Sequence, residues 1–146
     1  MLLRMRIYDT MSNTIRDLKP KDPSKVSIYA CGPTVQDVPH LGHARTALTY
    51  DVLKRYLVWA GFEVFLVSNI TDIDDKIINR ALDEGISEEE LAQKYANIHI
   101  EQLRNFGIKD PDERPRATQF IREMISIIEE LMENGSAYEI EAVSYT

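Results

Sequence analysis

The sequence predicts an α/β domain with a parallel β–α–β core, an N-terminal β-hairpin before it and a helical segment after it. Two short apolar runs with one helical stretch between them predict the core, because parallel strands need a crossover connection. Later segments carry apolar residues at helical spacing, which predicts the helical part. Since a parallel sheet of two strands is too small to be stable alone, we expect an incomplete domain.

The N-terminal hairpin is expected over residues 1–20, with its turn at Ser12 and Asn13. Strand-forming residues alternate imperfectly with polar ones on either side of that turn. The stretch Lys19–Pro23 is rich in prolines and charged residues, and it separates the hairpin from the core.

The β–α–β unit is expected over residues 24–72. Its first strand, Val26–Cys31, is a β-branched and aromatic run. Its second strand, Glu63–Val67, is almost continuously apolar, as in parallel sheets covered on both faces. The helix between them is predicted over about Gly42–Ala60, with Gly61 as its C-terminal stop.

The helical segment is expected over residues 73–146. Thr71 or Asp72 is the predicted cap of a first helix, which ends near Glu84. Ser87–Glu90 has the pattern of a capping box and predicts the start of a second helix.

A last amphipathic helix is predicted after Pro115, and Gly135 ends it. Its apolar residues lie at helical spacing: Ile121, Met124, Ile125, Ile128, Leu131 and Met132. The tail, residues 137–146, has the composition of a strand.

Composition limits the classes of function. The single cysteine excludes an internal disulfide and fits a reducing cytoplasm, the expected location. No apolar run approaches the length of a membrane span, so no membrane partner is expected. The net charge of −7 argues against non-specific nucleic-acid binding by this segment, and any RNA contact is expected mostly outside it.

His40 and His43 follow the first predicted strand and begin the predicted helix. Their spacing places both side chains on one face of a helix N-terminus, where free backbone N–H groups favour an anion. Imidazole N–H groups there are suited to bind triphosphate oxygens and to stabilise charge on a departing pyrophosphate. Gly42 leaves space for a base or a ribose. Two solvated histidines are the alternative, but the strand-to-helix context favours a nucleotide site.

Cys31 ends the first strand, where a lone cysteine is most often a small buried hydrophobe. The functional alternative is a zinc thiolate, which needs three or more protein ligands in all. No other cysteine is present, and the remaining histidine, His99, lies far along the sequence. The residue count therefore favours the buried-core interpretation.

Two other segments carry open alternatives. Thr71 and Asp72 follow the second strand, and either cap a helix or recognise a substrate ammonium or ribose hydroxyl. Arg114 and Arg116 form a basic cluster in an acidic chain. An ordinary solvated loop is the favoured interpretation there, and a contact with a backbone phosphate is the alternative.

Ordered motifs along essentially the whole chain up to Tyr138 resemble the opening of cysteinyl-tRNA synthetases, which are class I aminoacyl-tRNA synthetases. The matching segments are Tyr29–Val35 with Asp37 and His40–Arg45, then Asn69–Ile78, Pro115–Thr118 and Gly135–Tyr138. Gln36 departs from the tyrosine often found in the family. Residues 139–146 lack the expected Gly-Asp. The family's other zinc ligands, its Lys-Met-Ser-Lys-Ser loop and its anticodon-binding region are not in this chain.

The resemblance implies a Rossmann-like class I synthetase catalytic domain of protein biosynthesis, which activates cysteine with ATP and Mg²⁺ and then charges tRNA(Cys). It implies catalytic roles for His40 and His43. The implied ATP-binding residues are Gly32, Pro33, Thr34, His40, Gly42 and His43. The implied cysteine-binding residues are Cys31, Gly32, Thr34 and Thr71. Cys31 is also implied as one ligand of a Zn²⁺ ion that binds the substrate thiolate, with the other ligands outside this chain.

We therefore expect residues 1–146 to be the truncated, inactive N-terminal portion of such a catalytic domain. One alternative is a related ligase that passes activated cysteine to an amino-sugar amine. A nucleotidyltransferase with the same histidine motif is another, although it would not need Cys31. A non-catalytic remnant that binds a nucleotide or an amino acid is the third.

Overall fold

The computed structural model describes residues 5–140. The elements, in chain order, are β1 (Arg6–Asp9), β2 (Thr14–Asp17), β3 (Lys25–Ala30), α1 (Leu41–Trp59), β4 (Glu63–Ser68), α2 (Asp75–Glu84), α3 (Glu88–Asn105), a 3-10 turn (Ala117–Phe120) and α4 (Ile121–Glu133). Of the predicted strand-like tail, residues 137–140 have no regular secondary structure. Its remainder, residues 141–146, lies outside the described residues.

The N-terminal hairpin is present as predicted. Strands β1 and β2 pair antiparallel, with Arg6 opposite Asp17. Asn13 lies in the turn between them with φ at 58°, a left-handed conformation that asparagine tolerates better than most residues. The tyrosine hydroxyl of Tyr8 donates to the Asn13 side chain across the turn.

The predicted parallel core is also confirmed. β3 and β4 pair in parallel, with Val26 opposite Val64, and α1 connects them. Leu57 of α1 packs with Val26 in a buried cluster below the sheet. The expectation of two covered faces is wrong within residues 5–140, because Tyr29 and Phe65 on the opposite face are exposed. The described helices leave that face open.

A third parallel segment, residues 112–117, was not predicted from the sequence. It runs beside β4, where the Ser68 N–H donates to the Glu113 carbonyl and the Ile70 N–H donates to the Pro115 carbonyl. These hydrogen bonds place the segment on the edge of β4 that does not pair with β3. It therefore closes one side of the space beyond the strand ends.

Helices α2 and α3 pack together around fully buried Ile77 and Leu91. Ser87 caps α3 as predicted, since its hydroxyl accepts the Glu90 N–H at 3.1 Å. The predicted cap of α2 at Thr71 or Asp72 is wrong, because Asp74 is the capping residue. Thr71 is still extended and its N–H donates to the Pro33 carbonyl, so the helix begins only after Asp74.

The last helix, α4, is confirmed, and Gly135 follows it in a left-handed conformation, with φ at 75°. None of the residues of α4 is buried. Among residues 5–140, no helix combines the length and the apolar character needed to cross a membrane.

Candidate active site

The candidate site lies where β3 and β4 end and α1 begins, the edge at which open α/β sheets bind their ligands. A cavity of about 320 Å³ is found there. Of the residues predicted for the site, it brings together Cys31, Gly32, Pro33, Thr34 and His43. Also among its walls are Tyr50, Ser68, His99 and Arg114, none of which the sequence had assigned to this site.

A larger cleft of about 770 Å³ lies elsewhere, between α2, α3 and the 3-10 turn. Its acidic wall includes Asp74, Glu88 and Glu89. Asp72 and Arg116 also line it, but none of the residues that the family resemblance implies for ATP, cysteine or zinc does. We therefore place the candidate chemistry in the smaller cavity.

His40 and His43 cap the start of α1 reciprocally. The Nδ1 atom of His40 accepts the Gly42 N–H at 3.0 Å, and the Nδ1 atom of His43 accepts the His40 N–H at 3.1 Å. The two rings stack with their centroids 4.0 Å apart. Because each Nδ1 accepts a hydrogen bond, it carries no proton, and the neutral ring keeps its proton on Nε2. Each ring therefore retains an Nε2–H donor.

This cap corrects two expectations about the helix start. The N–H groups of Gly42 and His43 are not free, because the side chain and the carbonyl of His40 accept them. The space beside Gly42 is taken by the His40 ring, since a Cβ atom there would lie 2.8 Å from His40 Cε1. The glycine serves the histidine cap at this point. Polar residues three apart at a helix start are the sequence signal for such a cap.

His43 is held in its neutral form. Burial lowers its pKa from the ordinary value, and the neighbouring His40 lowers it further. His99, whose ring meets that of His43 edge-on at 6.1 Å, has its pKa lowered to about 4 by burial, by His43 and by Arg114. Both rings are therefore uncharged near pH 7.

Gly32 lets the ends of β3 and β4 approach closely. Its N–H donates to the Asn69 side-chain oxygen at 2.7 Å. A Cβ atom on Gly32 would lie only 1.5 Å from the Asn69 carbonyl oxygen, so a side chain cannot be accommodated without backbone movement. Thr34 forms a parallel bridge with Thr71 just beyond, so these two predicted residues are neighbours.

Cys31 is exposed, so the buried-core interpretation is wrong. Its thiol contacts the Gly32 carbonyl at 3.8 Å and lines the cavity. Among residues 5–140, no group of three or more His, Cys, Asp or Glu side chains is placed to hold a metal ion. The described residues alone therefore do not fit a zinc ion, which needs at least three protein ligands.

Arg114 does not lie in a solvated loop. Its side chain is only 18% exposed, donates to Asp110 at 2.8 Å and lines the cavity. Arg116 donates instead to Gln93 and borders the larger cleft. Asp72 is buried, and its carboxylate accepts hydrogen bonds from the backbone N–H and the hydroxyl of Thr118. These bonds use the carboxylate that the sequence offers for a substrate ammonium.

The parallel strands, the helix that begins beside their ends and the cavity between them define an α/β domain with its ligand site at the strand ends. A family model described as the class I (C) tRNA synthetase catalytic domain matches residues 17–146. The chain belongs to this family of class I tRNA synthetases.

Curated relatives point to the same family. The chain is 49% identical over 137 residues to a cysteine–tRNA ligase of Thermodesulfovibrio yellowstonii, covering 94% of this chain and 28% of the relative. It is 45% identical over 141 residues to the cysteine–tRNA ligase of Carboxydothermus hydrogenoformans, covering 97% of this chain and 30% of the relative. The chain thus spans somewhat under a third of the length of these relatives.

Proposed function

We propose that this chain is the N-terminal part of the catalytic domain of a cysteine–tRNA ligase, acting in the cytoplasm. In the proposed reaction the carboxylate of cysteine attacks the α-phosphate of ATP, which forms cysteinyl-adenylate and releases pyrophosphate. The terminal ribose hydroxyl of tRNA(Cys) then takes the cysteinyl group, and AMP leaves. The observation that carries the proposal is the family match over residues 17–146, which includes both the histidine cap and the cavity. RNA contacts are proposed to lie mostly outside this acidic chain.

The histidine cap supports the proposed role in binding ATP with Mg²⁺. In His40 and His43 the Nδ1 atom accepts a backbone N–H, which leaves the Nε2–H group of each ring as a donor, and a triphosphate offers oxygen acceptors. Donors held in place before the reaction stabilise the charge that develops on the leaving pyrophosphate. Gly42 contributes by making room for the His40 ring, while Pro33 and Thr34 form the neighbouring wall.

The neighbouring threonines and the exposed thiol support a site for cysteine. Thr34 and Thr71 lie side by side, and Gly32 brings the strand ends together beneath them. Cys31 opens on the same cavity. Among the described residues that line this cavity, Arg114 is the one with a fixed charge, and its guanidinium also bonds Asp110. The remaining guanidinium N–H groups make the cavity compatible with the proposed substrate carboxylate.

Zinc enters the proposal only through Cys31. The resemblance implies that zinc would bind the thiolate of the substrate and so reject serine, which offers no thiolate. The described residues supply one thiol and no cluster of three ligands, so we derive no step through the metal. We expect the purified 146-residue chain, dialysed after incubation with zinc, to retain far less than one equivalent. One equivalent of zinc per chain, measured by metal analysis, would show that this chain provides a complete set of zinc ligands and would contradict the expectation.

Calorimetric titration of the 146-residue chain with MgATP tests the proposal. We expect saturable binding of MgATP by the unmutated chain. The affinity should fall about tenfold or more in His43→Ala, because one charge-assisted hydrogen bond to the triphosphate is removed. Thr49→Ala is the matched control, since Thr49 lies exposed on the same helix and only bonds the Arg45 carbonyl. Equal binding by all three proteins, or none by the unmutated chain, would contradict the assignment.

Exchange of pyrophosphate into ATP in the presence of cysteine separates the alternatives. We expect no exchange above background from this chain, because the described residues provide only part of the proposed zinc site. Exchange would show that the chain is active as it stands. Binding of MgATP without exchange fits either part of a synthetase or a binding module. An amino-sugar ligase differs only in its acceptor, so it needs an assay with the amine.

A further inference from the structure

His99, on α3, is buried to all but 5% of its surface and lines the cavity of the candidate site. Among the hydrogen bonds of residues 5–140, none involves its imidazole. Its ring nitrogens are not among the buried side-chain atoms that lack a hydrogen-bond partner within the described residues, so they are accessible from the cavity. His99 therefore forms part of the cavity wall and is not enclosed in the apolar core.

The nearest ring to His99 is that of His43. The two centroids lie 6.1 Å apart and the rings are nearly perpendicular, at 83°, so one ring meets the other edge-on. His43 in turn stacks on His40. The three histidines of the chain thus form one contiguous row, from the buried wall of the cavity to the exposed start of α1.

The groups around His99 keep its ring uncharged. His43 approaches it from α1 and Arg114 from the third parallel segment, and each opposes a positive charge on His99. Tyr50 and Cys31 are the other titratable side chains that line the cavity, and no carboxylate is among them. Burial adds to the same effect, so the pKa of His99 falls to about 4.

We propose that His99 is a positioning residue that holds the His43 imidazole in place through this edge-on ring contact. The contact keeps His43 in the orientation in which Nδ1 accepts the His40 N–H, which leaves Nε2–H as the free donor. The role of this Nε2–H donor in catalysis rests on the proposed function. The contact between the His99 and His43 rings is independent of that function.

The experiment is histidine NMR on the 146-residue chain without nucleotide, where three imidazoles give a simple spectrum. His99→Phe keeps a flat ring, and His99→Leu keeps an apolar side chain without one. Leu103→Ala is the matched control, because Leu103 is buried on the same helix and lines the same cavity. The measured quantities are the tautomer and the pKa of His43, together with the midpoint of urea unfolding.

We expect His99→Phe to retain the Nε2–H tautomer of His43 and its lowered pKa. In His99→Leu the tautomers should mix, and the pKa of His43 should rise toward the ordinary histidine value. Leu103→Ala should lower the unfolding midpoint and leave His43 unchanged. If His99→Leu does not fold, His99→Phe decides alone, because loss of the tautomer in a folded His99→Phe chain would overturn the proposal.

Two other results would also overturn it: a His43 unaffected in His99→Leu, or one changed equally by Leu103→Ala. Either would make His99 a packing residue only. MgATP titration of the same variants separates this proposal from the proposed function. Failure of the unmutated chain to bind MgATP would contradict the proposed function. The NMR result on the contact between His99 and His43 would not change, because it is obtained without nucleotide.

Discussion

The α2–α3 pair and α4 have similar amphipathic sequences and opposite surroundings. In the pair, Ile77 and Leu91 are completely buried against each other's helices and the end of the sheet. In α4 no residue is buried, and Ile128 in its apolar row is 53% exposed. Helical spacing of apolar residues thus indicates a helix and an apolar face, but a second element must be present before that face is buried.

The helix starts differ in the same way. Asp74 and Ser87 cap α2 and α3 with side-chain hydrogen bonds. α4 begins after Phe120, which provides no such bond. The α2–α3 pair is therefore stabilised by its own residues, and it carries His99 to the candidate site. Within the described residues, α4 contributes no side chain to the walls of that cavity.

Truncation of one buried and one exposed residue tests this difference most strongly. Leu91→Ala should lower the free energy of unfolding by about 3 kcal/mol, because it opens a cavity in the core. Ile128→Ala should lower it by less than about 0.5 kcal/mol, as at most exposed positions. Urea unfolding of both variants measures the two values. A comparable loss in Ile128→Ala would mean that α4 is covered in solution.

Acid should weaken the fold through α3. The folded pKa of His99, about 4, is below the ordinary value of 6.5. The contribution of the neutral His99 ring to the free energy of unfolding is therefore fully present above pH 6.5, and it is lost as the pH falls toward 4. Between pH 7 and pH 5 we expect a loss of about 2 kcal/mol, since one pKa unit corresponds to about 1.4 kcal/mol.

Urea unfolding at both pH values, in the unmutated chain and in His99→Phe, measures this loss. Between the two pH values, the free energy of unfolding should fall less in His99→Phe than in the unmutated chain. The loss that remains comes from His43, whose pKa is also lowered in the folded chain. Glu84, whose pKa is lowered to about 2 by Lys94 and Tyr95, loses its stabilising effect only below about pH 4.5, outside this window. An identical pH dependence in both proteins would show that His99 is not the responsible group.

The helix cap gives the smallest effect. Ser87→Ala should lower the free energy of unfolding by about 1 kcal/mol, because the Glu90 N–H loses its acceptor. Ser126→Ala, in the exposed interior of α4, is the matched control and should change it very little. A loss in Ser87→Ala no larger than in the control would show that the cap does not stabilise α3.

Local patterns predicted much of the fold. The hairpin, the β–α–β core and the helices follow from alternation, helical spacing and turn residues close together in the sequence. The segment 112–117 was missed because Pro111 before it and Pro115 within it indicate a loop, and only its pairing with β4 makes it strand-like. The cap at Asp74 was missed for a related reason, since Thr71 is held extended by a residue of another segment.

The candidate site was predicted in part. The motif placed His43 and Cys31 near one sheet edge, and the structure brings both to one cavity. The motif did not predict that Cys31 is exposed, that Arg114 is partly buried or that the ring of His99 contacts that of His43. Each of these depends on contacts between distant parts of the chain, which local spacing does not determine.

The most direct test of the account is NMR of the ¹⁵N-histidine-labelled chain during titration with MgATP. We predict that Nδ1 of His40 and Nδ1 of His43 each accept a backbone N–H, so that the ring protons are on Nε2, and that the resonances of both rings shift saturably as MgATP binds. His99 should keep its tautomer throughout. A proton on Nδ1 of His43 before nucleotide is added, or a titration that leaves both His40 and His43 unmoved, would contradict it.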